Sequence, residues 1–389
     1  GKSLWSAIKV RGLAISTALQ QGLLGLSEGG RLGTIISILM YLTFFIFILF
    51  GQRIQLRMML WEIDGFLKRL DAMRSEARRK AIEMVREIGK PKEDPTPHVD
   101  SLLEQFLIMP VDLDPAGIIW KIDHLLDVRD MKFKDDIRRI APEANEAQVN
   151  NLENLVEASL ALNTIFRIVR HFYLLGKRTS SFYIILQLQM ILPLVMQEAE
   201  ALMGATKAFA LGQPIGDGIG PLVISKLISG LEKRRIEKDM VMGETYIEGR
   251  KVIALKAEGP GGNVGKPGDA IRKIIEELEG RVSAIIMVDA ALKFEGERSG
   301  EISNGIGAAI GGIGTERFKI EEEASKFKIP LYAVVIKESI IDAITPMKKE
   351  ISESADRAIE AIRRLILDRT KEGDTVIVAG IGNTIGIGQ

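Results

Sequence analysis

The sequence predicts a multidomain α+β protein with a membrane-spanning helix, an all-helical middle and a C-terminal three-layer α/β/α domain whose sheet is mainly parallel. Three observations predict it. An uncharged apolar run comes early, apolar residues then recur at helical spacing, and the last part alternates short apolar runs with amphipathic stretches. The predicted segments are an external amphipathic segment (1–33), a transmembrane helix (34–50), a helical stalk (51–90), a helical domain (91–211) and the α/β domain (212–389).

The composition of the 389-residue chain excludes several classes of function. Its 52 basic and 52 acidic residues cancel, so no general nucleic-acid binding is predicted. The absence of Cys excludes a thiol nucleophile, a disulfide framework and Cys-rich zinc sites. His124 and His171 have no second ligand at metal spacing, so the sequence predicts no metal site and leaves any cofactor unknown.

The stretch "TIISILMYLTFFIFILF" (34–50) is uncharged, and its apolar flank extends it toward the roughly 20 residues that a membrane-spanning helix needs. Basic residues are denser after this run than before it. The positive-inside rule therefore predicts a single-pass protein of the cell membrane, with cytoplasmic C-terminal domains and membrane lipid as a partner. The apolar segment 1–33 would lie along the outer membrane surface or form a short ordered arm.

Residues 51–90 continue as a predicted helix with one narrow apolar stripe. The stripe steps by three and four residues through Leu60, Ile63, Leu67, Leu70, Met73, Ala77, Ala81, Met84 and Ile88. Such a stripe suits a stalk that packs against a second copy, which favours a homo-oligomer, or a helix that lies on its own domain. Both alternatives are open at this point. Three prolines within 89–100 then predict a linker.

Residues 100–205 show helical patterns, and they include a second apolar stretch at 181–198. Gln187, Gln189 and Pro193 interrupt this stretch, which favours a buried helix over a second membrane span. A second span would reverse the sidedness of everything that follows it.

From residue 212 onward, short apolar runs alternate with amphipathic stretches, which predicts βαβ units and a sheet covered on both faces. The runs are "KVIALKA" (251–257), "VSAIIMVDAAL" (282–292), "PLYAVVI" (330–336) and "DTVIVAGIG" (374–382). In such sheets, binding sites form where the strands end, and the glycine-rich loops of this domain fall at those ends.

The loop "GPGGNVGKPGD" (259–269) leads into a helix, so its backbone N–H groups could approach an anion or a carbonyl group. A tight turn that serves only the fold is the alternative. The ligand-binding residues predicted from this loop are Gly259, Gly261, Gly262 and Asn263. Gly311 and Gly312 belong to a glycine-rich stretch that is predicted to border the same cleft.

Two aspartates are the candidate catalytic residues. Asp289 ends a strongly apolar strand, where a carboxylate is costly unless it is paired, hydrogen-bonded or exposed in a cleft. Asp217 lies in a glycine-rich turn directly before a helix, where a helix cap is the ordinary interpretation.

Parts of the last domain resemble the spore germination protease and its relatives, the hydrogenase-maturation endopeptidases. The matching motifs are "KVIALKAEGPGGNVGKPGDAIRKIIEELEGRVSAIIMVDAAL" and "EEEASKFKIPLYAVVIKESIIDAITP". In that family the domain opens with a strand ending in Gly-x-Gly-Asn, followed by an Asp-containing turn and a helix. Here "VIVAGIGN" and "PIGDGIGPLVISKL" stand at opposite ends of the domain. This order implies a circular permutation of a phosphorylase/hydrolase-like fold.

The resemblance also implies roles for individual residues. Asp217 and Asp289 match the two acidic residues of the germination protease and would share a proton as an acid/base pair. Gly382 and Asn383 would lie beside Asp217 and help to shape the cleft. The maturation endopeptidases use acidic and His positions around nickel, but no His follows residue 171 in this chain.

The whole chain resembles a family of archaeal membrane proteins known as a domain of unknown function, number fifteen-twelve. The motifs that carry this resemblance include "DPTPHVD", "LDPAGIIWKIDHLLDVRD", "NNLENLVEA" and "GIGNTIGIGQ". The leading hypothesis is a membrane-anchored hydrolase, of peptidase type, that uses the paired aspartates. A non-enzymatic homo-oligomeric membrane scaffold and a small-ligand sensor are the alternatives.

Overall fold

The computed structural model describes residues 31–110 and 117–389. They divide into two compact units, each built from two stretches: the described part of Gly1–Gly65 with Phe172–Met190, and Phe66–His171 with Ile191–Gln389. The second unit combines the end of the predicted stalk, most of the helical domain and the whole α/β domain. The predicted external segment lies almost entirely outside the described residues.

The N-terminal part of the described chain is helical. Its helices are α1 (Arg31–Gly89), α2 (Thr96–Leu102), α3 (Ile118–Ile140), α4 (Glu146–Thr179) and α5 (Phe182–Leu211). Helix α1 joins the predicted transmembrane helix and the predicted stalk, with a bend of 61° between Ile46 and Phe50. Side chains such as Ile38, Leu39 and Phe44 are exposed before the bend.

By length and composition alone, α5 is the one helix among the described residues that could cross a membrane. Helix α1 passes the same test only if the two segments beside its bend count as a single span. The prediction of a buried helix at 181–198 needs correction, because only 28% of the apolar window of α5 is buried. Ile185 and Leu192 face inward, whereas Met190 and Leu194 are exposed.

The apolar stripe of α1 is buried within its own chain. Leu70, Ala77 and Ala81 are buried, and Ala81 belongs to a core formed with side chains of α2, α3, α4 and α5. Leu152 and Val156 of α4 are central members of this core. The structure therefore shows the second alternative, in which α1 lies on its own domain.

The C-terminal part contains strands and helices in alternation. The strands are β1 (Lys233–Glu237), β2 (Met240–Ile247), β3 (Arg250–Ala257), β4 (Ala284–Leu292), β5 (Ile302–Ile306), β6 (Leu331–Glu338) and β7 (Thr375–Gly380). The helices are α6 (Ile219–Leu227), α7 (Pro267–Glu277), α8 (Thr315–Phe327), α9 (Ile340–Ile344) and α10 (Lys349–Arg369), and a one-turn 3₁₀ helix (Gly216–Gly218) precedes α6.

The strands form one mixed sheet of seven strands in the order β1-β2-β3-β7-β4-β6-β5. The central strands β3, β7, β4 and β6 are parallel, as predicted, but the outer pairs β1–β2, β2–β3 and β5–β6 are antiparallel. Sequence analysis missed β1, β2 and β5. These outer strands are charged or only half-buried, so they carry no continuous apolar run.

Helices cover both faces of the sheet. Alternate strand residues such as Ile253, Met287 and Ile377 pack with α7 and α8, and their neighbours such as Val252 and Val288 pack with α6 and α10. Because both faces are buried, the central strands need apolar residues at every position, which explains the uninterrupted runs in the sequence.

The carboxyl ends of the central strands bring polar residues together. Asp289 lies near the end of β4, Glu338 ends β6, and Gly382 and Asn383 follow β7 directly. The 3₁₀ helix that carries Asp217 is placed at the same edge, because α6 packs across β3, β4 and β7.

Candidate functional site

Asp217 lies directly against the last loop of the chain. Its Oδ2 accepts a hydrogen bond from the backbone N–H of Asn383, at 2.7 Å. Gly382 has a φ of 128°, and a Cβ at this position would lie 1.9 Å from the backbone oxygen of Asp217. The structure thus places Gly382 and Asn383 beside Asp217, as the sequence predicts. The carboxylate binds this loop and makes no helix cap.

Two further carboxyl groups lie at the same edge of the sheet. Asp289 is 7% exposed, and its Oδ1 accepts a hydrogen bond from the N–H of Ala290, at 2.8 Å. Glu338 is 1% exposed, and neither of its carboxylate oxygens has a hydrogen-bond partner in the described part of the chain. Gly216 packs so closely on Glu338 that a Cβ at 216 would lie 2.1 Å from Oε2. We call Asp217, Asp289 and Glu338 the carboxyl cluster.

Burial and mutual repulsion raise the pKa values of the carboxyl cluster. Burial, with the charges of Asp217 and Glu338, raises the pKa of Asp289 well above its usual range. Burial, with the charges of Asp217 and Asp342, raises the pKa of Glu338 to about 8. Burial also raises the pKa of Asp217, but the hydrogen bond from Asn383 opposes that shift. The N–H of Asn383 thus favours the ionised form of Asp217, while burial disfavours it.

Asp342 supplies a fixed negative charge next to Glu338. Burial would raise the pKa of Asp342, but hydrogen bonds from Lys348, Ser299 and Ser339 lower it to about 2. The ammonium of Lys348 lies 2.6 Å from Oδ1 of Asp342. Because Asp342 stays ionised, it favours the protonated form of Glu338.

Replacing Glu338 by Gln is expected to flatten the pH dependence of stability. The pKa of Glu338 is about 8 in the folded chain against an ordinary 4.5, so the folded state retains a proton that the unfolded state releases. This contribution to stability is complete below pH 4.5 and is lost as the pH rises through 8. The loss amounts to at most about 3 kcal/mol between pH 5 and pH 7, because one pKa unit corresponds to about 1.4 kcal/mol.

Chemical denaturation of the full chain at pH 5, 6 and 7 measures this effect. Wild type should lose stability relative to Glu338→Gln across the series. Glu295→Gln, at an exposed position without an ion pair among the described residues, serves as the control and should follow wild type. Parallel pH profiles for Glu338→Gln and wild type would contradict the prediction.

Asparagines of α4 hold the glycine loop 259–269. Oδ1 of Asn151 accepts the N–H of Gly262 at 2.8 Å, and Nδ2 of Asn154 donates to the oxygen of Gly262 at 2.8 Å. Nδ2 of Asn383 donates to Oδ1 of Asn154 at 3.0 Å. This amide network joins the helical part, the glycine loop and the loop beside Asp217.

Gly261 allows the glycine loop to approach α4 closely. A Cβ at Gly261 would lie 2.8 Å from Cα of Ala147.

A cavity of about 540 Å³ lies between α3, α4 and the glycine loop. Gly262, Asn263 and Asn383 line it, whereas Asp217 and Asp289 do not. The remaining predicted glycines lie elsewhere. Gly259 packs against Ile387, and Gly311 and Gly312 have no neighbouring atom within 4 Å of a Cβ position. Of the predicted site residues, this cavity therefore contains Gly262, Asn263 and Asn383.

Sequence analysis missed Glu338 and the asparagines Asn150, Asn151 and Asn154. Glu338 ends an apolar strand in the same way as Asp289, and that signal could have identified it. The asparagines recur at helical spacing within "NNLEN", which places their amides on neighbouring positions of one helix. In the described residues, no group of three or more His, Cys, Asp or Glu side chains is arranged to hold a metal ion.

Comparison with protein families assigns both halves of the chain. Residues 37–212 match the model of the N-terminal domain of a protein of unknown function, DUF1512, and residues 215–388 match the model of the DUF1512 C-terminal domain. The chain belongs to the DUF1512 family. No curated protein matches it. In the DUF1512 fold, the carboxyl cluster and Asn383 lie in the C-terminal region, and the asparagines that hold the glycine loop lie in the N-terminal region.

Proposed function

We propose that the C-terminal domain of this DUF1512 protein is a hydrolase of peptidase type, whose acid/base machinery is the carboxyl cluster. The observation that carries the proposal is the convergence of Asp217, Asp289 and Glu338 at the carboxyl ends of parallel strands. Each has a raised pKa for a stated physical reason. Carboxyl groups that share one site and have raised pKa values are candidates for acid/base catalysis.

The environments of the two aspartates assign their roles. Asp217 is less buried than Asp289 and accepts the N–H of Asn383, so we assign it as the ionised member, which accepts a proton from an attacking water. Asp289 is protonated and donates to the leaving nitrogen as the C–N bond breaks. The products are a carboxylic acid and an amine, and the proton then returns from Asp217 to Asp289. Glu338 is a positioning residue, whose proton limits the negative charge beside Asp217.

The resemblance to a permuted germination protease supports this proposal. That resemblance requires the loop after β7 to lie beside the turn that carries Asp217, and the contact between Asn383 and Asp217 meets this requirement. Helix α1 no longer supports the scaffold alternative. Its apolar stripe favoured self-association, but the stripe is buried within its own chain.

We also propose that apolar helices attach the protein to the cell membrane, with the α/β domain in the cytoplasm. Two observations support attachment: the exposed apolar side chains between Ile35 and Ile46, and the apolarity of α5. The second half of α5 packs into the helical core through residues such as Ala205 and Phe209, so attachment through α5 would use its first half. Basic residues after the apolar run of α1 support the cytoplasmic side.

The experiment is hydrolysis of a quenched fluorescent casein and a mixed peptide library by the full chain in a mild detergent. Asp217→Asn and Asp289→Asn should each lower turnover by about 100-fold or more, the usual contribution of a general acid or base. Asp368→Asn, at an exposed position without an ion pair among the described residues, is the control and should retain activity. Unchanged turnover in both site variants, or no hydrolysis of any substrate by the folded chain, would contradict the proposal.

A further inference from the structure

The cavity between α3, α4 and the glycine loop has an excess of acidic side chains. Seven acidic residues and four basic residues line it, which gives a formal charge of 4 − 7 = −3. The carboxyl cluster is not part of this lining. The cavity and the carboxyl cluster of the proposed hydrolase therefore differ in their acidic residues.

Most of the lining cations are already neutralised by carboxylates. Arg129 pairs with Glu157, Lys266 pairs with Asp127, and Lys134 lies 2.5 Å from Glu146. Lys238 is solvent-exposed, where water screens its charge. Among the lining carboxylates, Asp269 pairs with Lys319 and Glu237 pairs with Lys273, so Glu153 and Asp239 carry the unpaired negative charge among the described residues of the wall.

Two polar side chains of the wall have no partner in the described chain. Asn150 is 8% exposed and lines the cavity, but its side-chain amide makes no hydrogen bond to a described residue. One turn further along α4, Glu153 lines the same cavity and has neither a hydrogen bond nor an ion pair among the described residues. Both groups therefore offer acceptor oxygens to a ligand in the cavity without breaking a contact within the described chain.

We propose that this cavity binds an organic cation, a guanidinium or primary ammonium group, through the carboxylate of Glu153 and the amide oxygen of Asn150. Both ligand groups are pure hydrogen-bond donors, and the two unpartnered groups offer acceptors one helical turn apart. The excess negative charge disfavours an anion. A volume of about 540 Å³ also accommodates the rest of a small ligand or of a peptide segment.

The electrostatics of Glu153 support this assignment. Burial and the charge of Glu157 raise its pKa to about 7, so the described residues compensate its carboxylate poorly. A bound cation supplies the missing charge and lowers that pKa. The same chemistry could come from a basic side chain of a peptide or from a free amine, and the experiment separates these sources.

Calorimetric titration of the full chain in a mild detergent tests the proposal with three probes. They are the blocked tripeptide acetyl-Ala-Arg-Ala-amide, its citrulline analogue and agmatine. Citrulline has nearly the shape of arginine but no charge. The arginine peptide should bind at least about tenfold more tightly than the citrulline peptide, as expected for hydrogen bonds to charged groups. Comparable binding of agmatine identifies a free cation as sufficient, and binding of the arginine peptide alone identifies a peptide ligand.

Two variants make the assignment specific. Glu153→Gln should weaken binding of the arginine peptide by about tenfold or more, whereas Asn150→Asp, which adds a carboxylate, should strengthen it. Glu322→Gln on the exposed face of α8 is the control and should bind as wild type does. The gain with Asn150→Asp provides the test even if Glu153→Gln fails to fold.

Three results would overturn the proposal: no saturable binding of either cation, equal binding of the citrulline peptide, or unchanged affinity in both variants. Asp217→Asn and Asp289→Asn should bind the probes normally. A hydrolase that fails and a cation site that fails are therefore distinguishable.

Discussion

Replacing Gly382 by Ala is expected to lower the free energy of unfolding by about 3–5 kcal/mol. The φ of 128° at this position is strained for any residue with a side chain. The added Cβ would also lie 1.9 Å from the backbone oxygen of Asp217, which cannot move without displacing the 3₁₀ helix and α6. Both effects act at the same residue, because the positive φ and the close approach to Asp217 coincide there.

Chemical denaturation of the full chain measures this loss. Gly311→Ala is the matched control, because a Cβ at 311 meets no atom within 4 Å and its φ is outside the left-handed range. That variant should stay within about 1 kcal/mol of wild type, or gain stability by restricting the unfolded chain. If Gly382→Ala and Gly311→Ala are equally stable, the close contact between Gly382 and Asp217 does not exist.

Replacing Lys319 by Met is expected to destabilise the fold by about 3 kcal/mol. The ammonium of Lys319 is buried and lies 2.8 Å from both Asp269 and Glu316, and 3.0 Å from Asp123. These carboxylates belong to α3, α7 and α8, so one cation joins the helical part to the α/β domain. Methionine keeps most of the volume but leaves three acidic groups facing one another without a counter-charge. Because these groups are partly exposed, the expected loss is at the low end of the range for buried ion pairs.

Denaturation at neutral pH checks this prediction, and Lys349→Met provides the control. Lys349 is 86% exposed and pairs with Glu353 at 3.5 Å, a surface contact worth under about 1 kcal/mol. Lowering the pH toward 4 should restore part of the lost stability in Lys319→Met, because protonation removes the repulsion among the three carboxylates. A loss equal to that of Lys349→Met would show that Lys319 is not a structural cation.

Only part of the candidate site can be predicted from the sequence, and the reason differs from one residue to the next. The sequence alone singles out Asp289, because a carboxylate at the end of an apolar strand conflicts with its surroundings. Asp217 and Asn383 were connected only through the resemblance to a permuted domain, since 166 positions separate them. Glu338 also ends an apolar strand, but Lys337 and Ser339 beside it make its carboxylate resemble an ordinary solvated strand end.

The glycines show the limit of composition as a guide to a binding site. Gly261, Gly311 and Gly382 look alike in the sequence, yet the first allows helix packing, the second is open to solvent and the third touches Asp217. A glycine in the sequence indicates that a side chain is excluded or unnecessary there, but it does not indicate which residue packs against it.

The local sequence pattern is sufficient to predict the helical N-terminal part, the parallel centre of the sheet and the position of Asp289. Each of these features depends on the spacing of apolar side chains among residues that are close in the chain. Tertiary structure alone decided the outer strands, the packing of the α1 stripe and the cavity beside Asn150 and Glu153. These features depend on partners that lie far away in the chain. A half-exposed strand gains its order from hydrogen bonds to its neighbour, and an amphipathic stripe packs equally well on its own domain or on a copy. The same long-range packing brings Asn383 to Asp217, where the last loop of the chain meets the first turn of the domain.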